Sequence, residues 1–314
     1  MEHDLGDRGP TGELDRRRFL SRVGGALAAV GCVSLSGAAP LLALGDDDAG
    51  KDKDRGKKAA KKNAVDPSGP YGPFLMSIQS YSLRKFNFEK MVASVHELEL
   101  KAVELYPGHF PQDQGEFEFR SRMRTMRHNQ VKTVAYGVVP FTKDHEANRK
   151  LFDLAKKLNL SSISADPAPD SFDSLEKLVE EFRIPIAIHN HGPEDQRYRT
   201  AEMIEKAIAG KHKLIGLCID AGHFLRVDVN PVEVAKKFKE RVFGVHLKDV
   251  KSEGGKKRYS LLGEGDLDLL GFLKTLKENG FAGGLSLEYE EEEDAPMASI
   301  AKCLASVREA VKKI

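Results

Sequence analysis

The feature that most constrains the fold is a regular alternation of short β-rich runs with amphipathic helical runs from Phe74 onward. A helical pattern, with apolar residues three or four positions apart, follows each β-rich run. The predicted strands are Leu75–Tyr81, Ala102–Tyr106, Lys132–Val138, Ser161–Asp166, Pro185–His191, Ile215–Asp220, Val242–Lys248 and Gly284–Tyr289. Eight such units in roughly 240 residues predict a single-domain (β/α)8 TIM barrel over residues 74–314.

An open doubly wound sheet is the alternative arrangement for the same alternation. Such a sheet normally has a glycine-rich turn after its first strand, and Ser82-Leu83-Arg84-Lys85 contains no glycine. Helix boundaries are also marked in the sequence. Asn230-Pro231 supplies an N-cap and a proline at the first helical position, and Asn279-Gly280 is typical of a helix end. We therefore expect the closed barrel.

The first 73 residues have a different character. Arg16-Arg17-Arg18-Phe19-Leu20 precedes the apolar, uncharged stretch Val23–Leu44, a pattern that resembles a twin-arginine export signal. We therefore predict a signal peptide over residues 1–44 and an exported, periplasmic protein. An uncleaved membrane anchor and lipid attachment at Cys32 are the alternatives. Residues 45–73 are charged and low in complexity, which predicts a disordered linker.

Composition excludes some functions. The formal net charge is +1, so there is no electrostatic case for nucleic acid as a partner. The three cysteines form no CxxC pair, which argues against a thiolate zinc site and a disulfide framework. We expect Cys218 and Cys303 to be packed thiols.

The alternation of side chains along each strand predicts where the chemistry lies. In each of the last four strands one face is bulky and the other slim. In Ile215–Asp220, for example, Gly216, Cys218 and Asp220 share the slim face. A slim face suits the narrow barrel interior, and each ends in a polar residue at the carboxyl end of its strand, where barrel enzymes place their active sites. The residues brought to one rim are His189, Asp220, His246 and Glu288.

Two imidazoles and two carboxylates suit Mn²⁺, Zn²⁺, Fe²⁺ or Co²⁺ better than Ca²⁺, which prefers oxygen ligands. A single histidine on an apolar strand is more often structural than a ligand. Four such residues at the same height on four consecutive strands are harder to explain in that way. The sequence therefore predicts one divalent-metal site formed by His189, Asp220, His246 and Glu288.

Five segments carry a resemblance to a known family. They are Ile188-His189-Asn190-His191-Gly192, Ile219-Asp220-Ala221-Gly222-His223, Val245-His246-Leu247-Lys248-Asp249, Leu262-Gly263-Glu264-Gly265 and Leu285-Ser286-Leu287-Glu288. Together they resemble the xylose isomerase-like barrels, the sugar phosphate isomerases/epimerases, which are related to endonuclease IV. That resemblance implies Glu, Asp, His and Glu as metal ligands at the ends of strands five to eight. Asp220, His246 and Glu288 match, whereas His189 stands where the first Glu is expected.

The chemistry of such a site is removal of a proton next to a carbonyl. Glu288 is the predicted general base. His223 resembles the family's substrate-contacting histidine, and His191 is either a second acid/base or a partner of a metal ligand. The residues predicted to contact substrate are Glu104, Asp166, Asn190 and Lys248, with Gln79, Tyr81 and Tyr106 as weaker candidates at the rim.

Two positions have competing interpretations. Lys248 either neutralises a substrate oxygen or pairs with Asp249. Glu264 either caps the last crossover helix or takes part in catalysis.

Two enzymatic functions follow. The first is isomerisation or epimerisation of a sugar, and the second is β-elimination from a 3-keto sugar, a lyase reaction that needs only one well-placed base. A non-catalytic glycan-binding barrel is a further alternative, and a DNA-repair nuclease is disfavoured by the low net charge and the export signal. The expected partner is a small sugar or keto-sugar, and assembly into a homo-oligomer is left open.

Overall fold

The computed structural model describes residues 65–314, so the predicted signal peptide and most of the predicted linker lie outside the described residues. Eight parallel strands close into a barrel, and each is hydrogen-bonded to its two neighbours. In chain order the barrel strands are β1 (Leu75–Gln79), β2 (Ala102–Leu105), β3 (Lys132–Phe141), β4 (Ser162–Pro167), β5 (Ile186–His189), β6 (Ile215–Asp220), β7 (Val242–Leu247) and β10 (Gly284–Leu287). The predicted (β/α)8 TIM barrel is thus confirmed.

Helices connect the strands and cover the outside of the barrel. They are α1 (Phe88–Glu97), α2 (Glu116–His128), α3 (His145–Leu158), α4 (Phe172–Phe182), α5 (Ala201–Ile208), α6 (Ala221–Arg226), α7 (Pro231–Phe238), α8 (Leu269–Glu278) and α9 (Met297–Val311). The Asn230 side chain accepts a hydrogen bond from the backbone N–H of Val232, so the predicted cap at Asn230-Pro231 is confirmed. Within residues 65–314, no helix has the length and apolar character needed to cross a bilayer.

The barrel interior is narrow, as the slim strand faces predict. A Cβ added to Gly284 would lie 2.9 Å from Cγ2 of Val134, and one added to Gly244 would lie 3.2 Å from Sγ of Cys218. Bulky side chains therefore point outward to the helices and form the core between sheet and helices. Cys218 and Cys303 are buried free thiols, as expected.

Strand register sets the height of the candidate site. Asp220 and Ser286 are both Cα partners of His246, so β6, β7 and β10 present these three residues in one layer. His189 on β5 is the partner of Cys218, two residues before Asp220. Glu288 follows β10 directly, and its N–H donates to the Leu247 carbonyl at 3.0 Å. The carboxyl ends of four neighbouring strands thus bring four polar side chains together.

A β-hairpin between β7 and α8 was not foreseen from the sequence. Its strands, β8 (Asp249–Glu253) and β9 (Lys256–Ser260), pair antiparallel beyond the carboxyl end of the barrel. The Asp249 carboxylate accepts hydrogen bonds from the backbone N–H groups of Gly263, Gly265 and Leu267 at 2.9 to 3.1 Å. One buried side chain therefore fixes both ends of the insertion above the barrel.

Candidate active site

The structure brings four predicted ligands together at the carboxyl end of the barrel. His189, Asp220, His246 and Glu288 are buried, and each offers one ligand atom within 4.8 Å of the others. His189 Nε2 lies 3.0 Å from His246 Nδ1 and 3.4 Å from Asp220 Oδ2. His246 Nδ1 lies 3.0 Å from Glu288 Oε2. Ligands about 2.1 Å from a tetrahedral metal are about 3.4 Å apart, so these separations suit a single cation.

Two carboxylate oxygens in this cluster lack a hydrogen-bond donor. Asp220 Oδ2 and Glu288 Oε2 are both buried without a hydrogen-bond partner. Lys248 Nζ approaches them at 2.9 and 3.0 Å, but in neither case with hydrogen-bond geometry. Buried acceptors left without donors are costly, so the donor set fits a divalent cation.

Electrostatics keep three of the four donors in the form that binds a metal. Burial lowers the pKa of His189 to about 4, so its imidazole is neutral. Burial alone would raise the pKa of Asp220, but nearby Lys248 and His223 hold it well below its usual range. Lys248 and His246 likewise outweigh burial and lower the pKa of Glu288. Both carboxylates are therefore ionised, and lone pairs are available on Asp220, Glu288 and His189. Burial would lower the pKa of His246, but Cys218, Glu104 and Glu288 raise it well above its usual value, so a cation bound there would displace a proton from this ring.

Glu104 lies beneath the cluster rather than at the mouth, which is the opening at the carboxyl end of the barrel. It is 1% exposed, and its carboxylate accepts hydrogen bonds from Ser164 Oγ at 2.6 Å and Ser286 Oγ at 2.7 Å. Its Oε1 is 3.0 Å from His246 Nε2, the ring nitrogen that points away from the other ligands. The expectation that Glu104 contacts substrate does not fit this geometry, because both oxygens already have protein partners. Its place is behind His246, where it orients the imidazole.

Asn190 also differs from the expectation. Its side-chain amide donates to the Asp220 carbonyl at 3.0 Å and accepts from the Asp220 N–H at 2.8 Å, and the residue is fully buried. Asn190 therefore ties β5 to β6 and fixes the backbone of a predicted ligand, and no part of it faces substrate.

Lys248 does not pair with Asp249. Its ammonium faces Asp220, Glu288 and Glu290. Burial opposes the charged form, but these three carboxylates raise its pKa well above the usual value. Lys248 thus supplies a fixed positive charge at the floor of the mouth.

His191 and His223 lie at the mouth, on the solvent side of the ligands. Their ring centroids are 5.6 Å apart, and that of His191 is 4.6 Å from that of His189. The His191 side chain is 39% exposed, and its Nδ1 is 3.7 Å from Oδ2 of the partly buried Asp195. Burial lowers the pKa of His223 to about 3. Of the two, His191 is the more accessible acid/base.

Asp166 lies beside His191 rather than over the ligands. It forms an ion pair with Arg197 and lines a cavity of about 560 Å³ together with His191 and His223. Gln79, Tyr81 and Tyr106 line a separate cavity, of about 440 Å³, which opens onto His189 and Glu288.

Glu264 is exposed, and α8 is capped by Asp268, whose side chain accepts from the Gly271 N–H at 2.9 Å. The proposed capping role of Glu264 is therefore wrong.

Two residues at the mouth were missed from the sequence. Tyr259 comes from β9, and its hydroxyl lies 3.3 Å from His223 Nδ1. Arg226, at the end of α6, places Nη1 3.4 Å from both the Tyr259 hydroxyl and His223 Nδ1. Neither belongs to a barrel strand, so the alternation rule could not find them. The segment Lys256–Ser260 carries no alternating pattern that would have singled out Tyr259.

Comparison with known proteins agrees with the fold. The family model described as "Xylose isomerase-like TIM barrel" matches residues 92–309. An inosose dehydratase of Clostridium botulinum (strain Eklund 17B / Type B) is 29% identical over 136 residues, which cover 38% of this chain and 45% of that protein. The chain thus spans less than half the length of this curated relative.

Solved structures extend the likeness to most of the chain. A putative uncharacterized protein from Parabacteroides distasonis ATCC 8503 is 25% identical with a TM-score of 0.58, covering 76% of this chain and 98% of that one. The IOLI protein with a binding zinc atom is 17% identical with a TM-score of 0.60, covering 76% and 99%. At this identity the second likeness concerns the fold alone. From the closed barrel and the family match over residues 92–309, the chain belongs to the xylose isomerase-like TIM barrel family.

Proposed function

We propose that this protein is a divalent-metal-dependent enzyme that removes the proton next to the carbonyl of a keto-sugar or keto-cyclitol, and that the reaction ends in carbon–oxygen elimination. The observation that carries the proposal is the buried four-donor cluster, in which Asp220 Oδ2 and Glu288 Oε2 lack hydrogen-bond donors. The inosose dehydratase relatives support elimination, since a dehydratase removes water from its substrate.

His189, Asp220, His246 and Glu288 would hold the cation, one ligand atom each. A cation bound there would supply the positive charge that stabilises an oxygen as it gains negative charge. These donors suit Mn²⁺, Zn²⁺, Fe²⁺ and Co²⁺ alike. The Lys248 ammonium lies beside Asp220 and Glu288 and adds a second positive charge for a substrate oxygen.

His191 is a better general base than Glu288. A base must reach the substrate proton and hold a lone pair that is free to accept it. Glu288 is 8% exposed and its pKa is lowered by Lys248 and His246 despite burial, so it is a better ligand than base. The His191 side chain is 39% exposed at the mouth and is not among the four ligands.

Elimination suits this arrangement better than epimerisation by two carboxylates. With His189 in place of a glutamate, one side of the cluster has no carboxylate base, and elimination needs one base plus a donor to the departing oxygen. Isomerisation or epimerisation is the second candidate. It is favoured by the His191–His223 pair, whose ring centroids are 5.6 Å apart and which could serve as two acid/base groups.

Exchange of the substrate proton with solvent tests the proposal. Metal-loaded protein is incubated in D₂O with inosose and with 3-keto-glucose, and NMR follows deuterium at the carbon next to the carbonyl. We expect exchange or an unsaturated product, lost in His191→Gln. An isomeric product carrying deuterium would favour the second candidate. Absence of both exchange and an unsaturated product with the two compounds would refute the enzyme and favour a glycan-binding barrel.

Export is part of the proposal, supported by the Arg16-Arg17 pair and the apolar stretch after it. Fractionation of cells that produce the full chain tests it. We expect the protein in the periplasm, and replacement of both arginines by lysine should leave it in the cytoplasm.

A further inference from the structure

Two cavities meet at the mouth of the barrel, and one of them lies away from the metal ligands. The first, about 440 Å³, is lined by His189, Glu288 and Tyr259 among others. The second, about 460 Å³, is lined by Arg226, Lys257, Arg258, Tyr259 and Glu291. Arg226 and Tyr259 line both, so they stand at the junction. A departing water molecule would need only a small fraction of the second cavity.

Tyr259 is held at this junction by the hairpin. It pairs with Val250 across the two hairpin strands, and the Asp249 carboxylate anchors the base of the hairpin. Its hydroxyl is 3.3 Å from His223 Nδ1 and 3.4 Å from Arg226 Nη1. The Lys248 ammonium is 5.4 Å from the ring centroid. The phenol is therefore oriented by two polar neighbours and faces both cavities.

The chemistry of this position suits a proton donor. Burial raises the pKa of Tyr259 to about 12, with Lys248 opposing and Glu290 adding to the effect, so the hydroxyl keeps its proton near neutral pH. The neighbouring Arg226 guanidinium does not give up a proton in a protein, whereas a phenol can give a proton and recover it from solvent. The second cavity offers an aromatic ring and charged side chains, which can pack against an apolar face and hydrogen-bond to hydroxyl groups.

We propose that Tyr259 donates a proton to the departing oxygen and that the second cavity holds the departing alcohol, so that the substrate is an O-glycoside of a keto-sugar rather than a free keto-sugar. This inference rests on the proposed elimination. The base takes the proton next to the carbonyl, and the electrons of that C–H bond form the new C=C bond. The C–O bond to the alcohol breaks, and its electron pair takes the Tyr259 proton. The reaction is redox-neutral and needs no co-reactant.

The dependence of the rate on the leaving group tests this role. Full-length metal-loaded protein is assayed with methyl 3-keto-β-D-glucopyranoside and 4-nitrophenyl 3-keto-β-D-glucopyranoside. Methoxide needs a proton in order to leave, whereas 4-nitrophenolate is a stable anion. Tyr259→Phe should lower kcat on the methyl glycoside by about 10²-fold or more and leave the nitrophenyl glycoside nearly unchanged. Tyr71→Phe, whose hydroxyl contacts Arg308 far from the mouth, is the matched control and should affect neither.

Each result has a defined meaning. Equal losses on both glycosides would indicate a structural role for Tyr259 and overturn the inference, as would no loss on either. Deuterium exchange in the Tyr259→Phe protein separates the two proposals. If exchange next to the carbonyl persists while the leaving-group effect is missing, only the role of Tyr259 fails. If wild-type protein gives neither exchange nor an unsaturated product with either glycoside, the proposed function fails as well.

Discussion

The two halves of the barrel interior differ in what their buried polar atoms contact. On β1, β2 and β4, Ser77, Glu104 and Ser164 all have protein partners: Ser77 Oγ is 2.9 Å from Ser286 Oγ, and Ser164 donates to Glu104. On the half formed by β5, β6, β7 and β10, Asp220 Oδ2 and Glu288 Oε2 have no hydrogen-bond donor.

This difference separates scaffold from site. Satisfied polar groups in the interior specify one packing arrangement, and their removal costs stability. Unsatisfied ones cost free energy in the folded protein and are retained where a ligand uses them. Changes in the second half should therefore alter metal content and activity. Changes in the first half should act on the site only indirectly.

The largest expected effect is at the centre of the second half. His246→Ala removes the donor nearest to both His189 and Glu288, so metal content should fall from about one ion per chain to near zero, with loss of activity. Elemental analysis of purified protein measures this, with circular dichroism to verify folding. His96→Ala, an exposed histidine on α1, is the control and should keep its metal. Equal metal content in the two variants would remove the basis for the site.

A second effect concerns acid stability after treatment with EDTA. His189 and His223, both buried, have pKa values of about 4 and about 3, against about 6.5 when unfolded. As pH falls below about 6.5 the unfolded chain takes up protons that the folded chain does not, so stability is lost. The expected slope is about 1.4 kcal/mol per pH unit for each histidine. Urea unfolding between pH 6.5 and 4 measures this slope. In His223→Gln one titrating group is absent, so the slope of the unfolding free energy against pH should fall by the contribution of one histidine.

The smallest expected effect comes from Glu104, which lies in the first half and contacts His246 in the second. Glu104→Gln keeps the hydrogen-bonding shape beside His246 but removes the negative charge 3.0 Å from its Nε2. Metal affinity should fall by about 10- to 100-fold, because partners of a ligand orient it and raise its basicity. Competition with a chromophoric chelator measures this, with the exposed Glu97→Gln as control. An unchanged affinity would mean that the two halves are independent.

The fold and the candidate ligands could be predicted because both follow from strict periodicity. Alternation along strands places His189, Asp220 and His246 on interior faces whatever the loops do. The period-two rule does not say how deep a side chain lies or which partners it has. Glu104 was expected at the rim and lies below His246, because Ser164 and Ser286 on other strands bind its carboxylate.

Loop residues could not be predicted for a different reason. Tyr259 reaches the mouth only because the hairpin folds back over the barrel, and its position depends on backbone N–H groups that bind Asp249. No local pattern records that anchoring. Asn190 shows the same limit on a smaller scale, since its two hydrogen bonds to the Asp220 backbone are long-range contacts.

The ammonium of Lys248 has a consequence for how the protein matures. Because this internal counter-ion already lies against Asp220 and Glu288, the mutual repulsion of the two carboxylates is offset before any cation arrives. We therefore expect the barrel to fold without a cation, and the ion taken up at the proposed site would then depend on which transition metal is available rather than on folding.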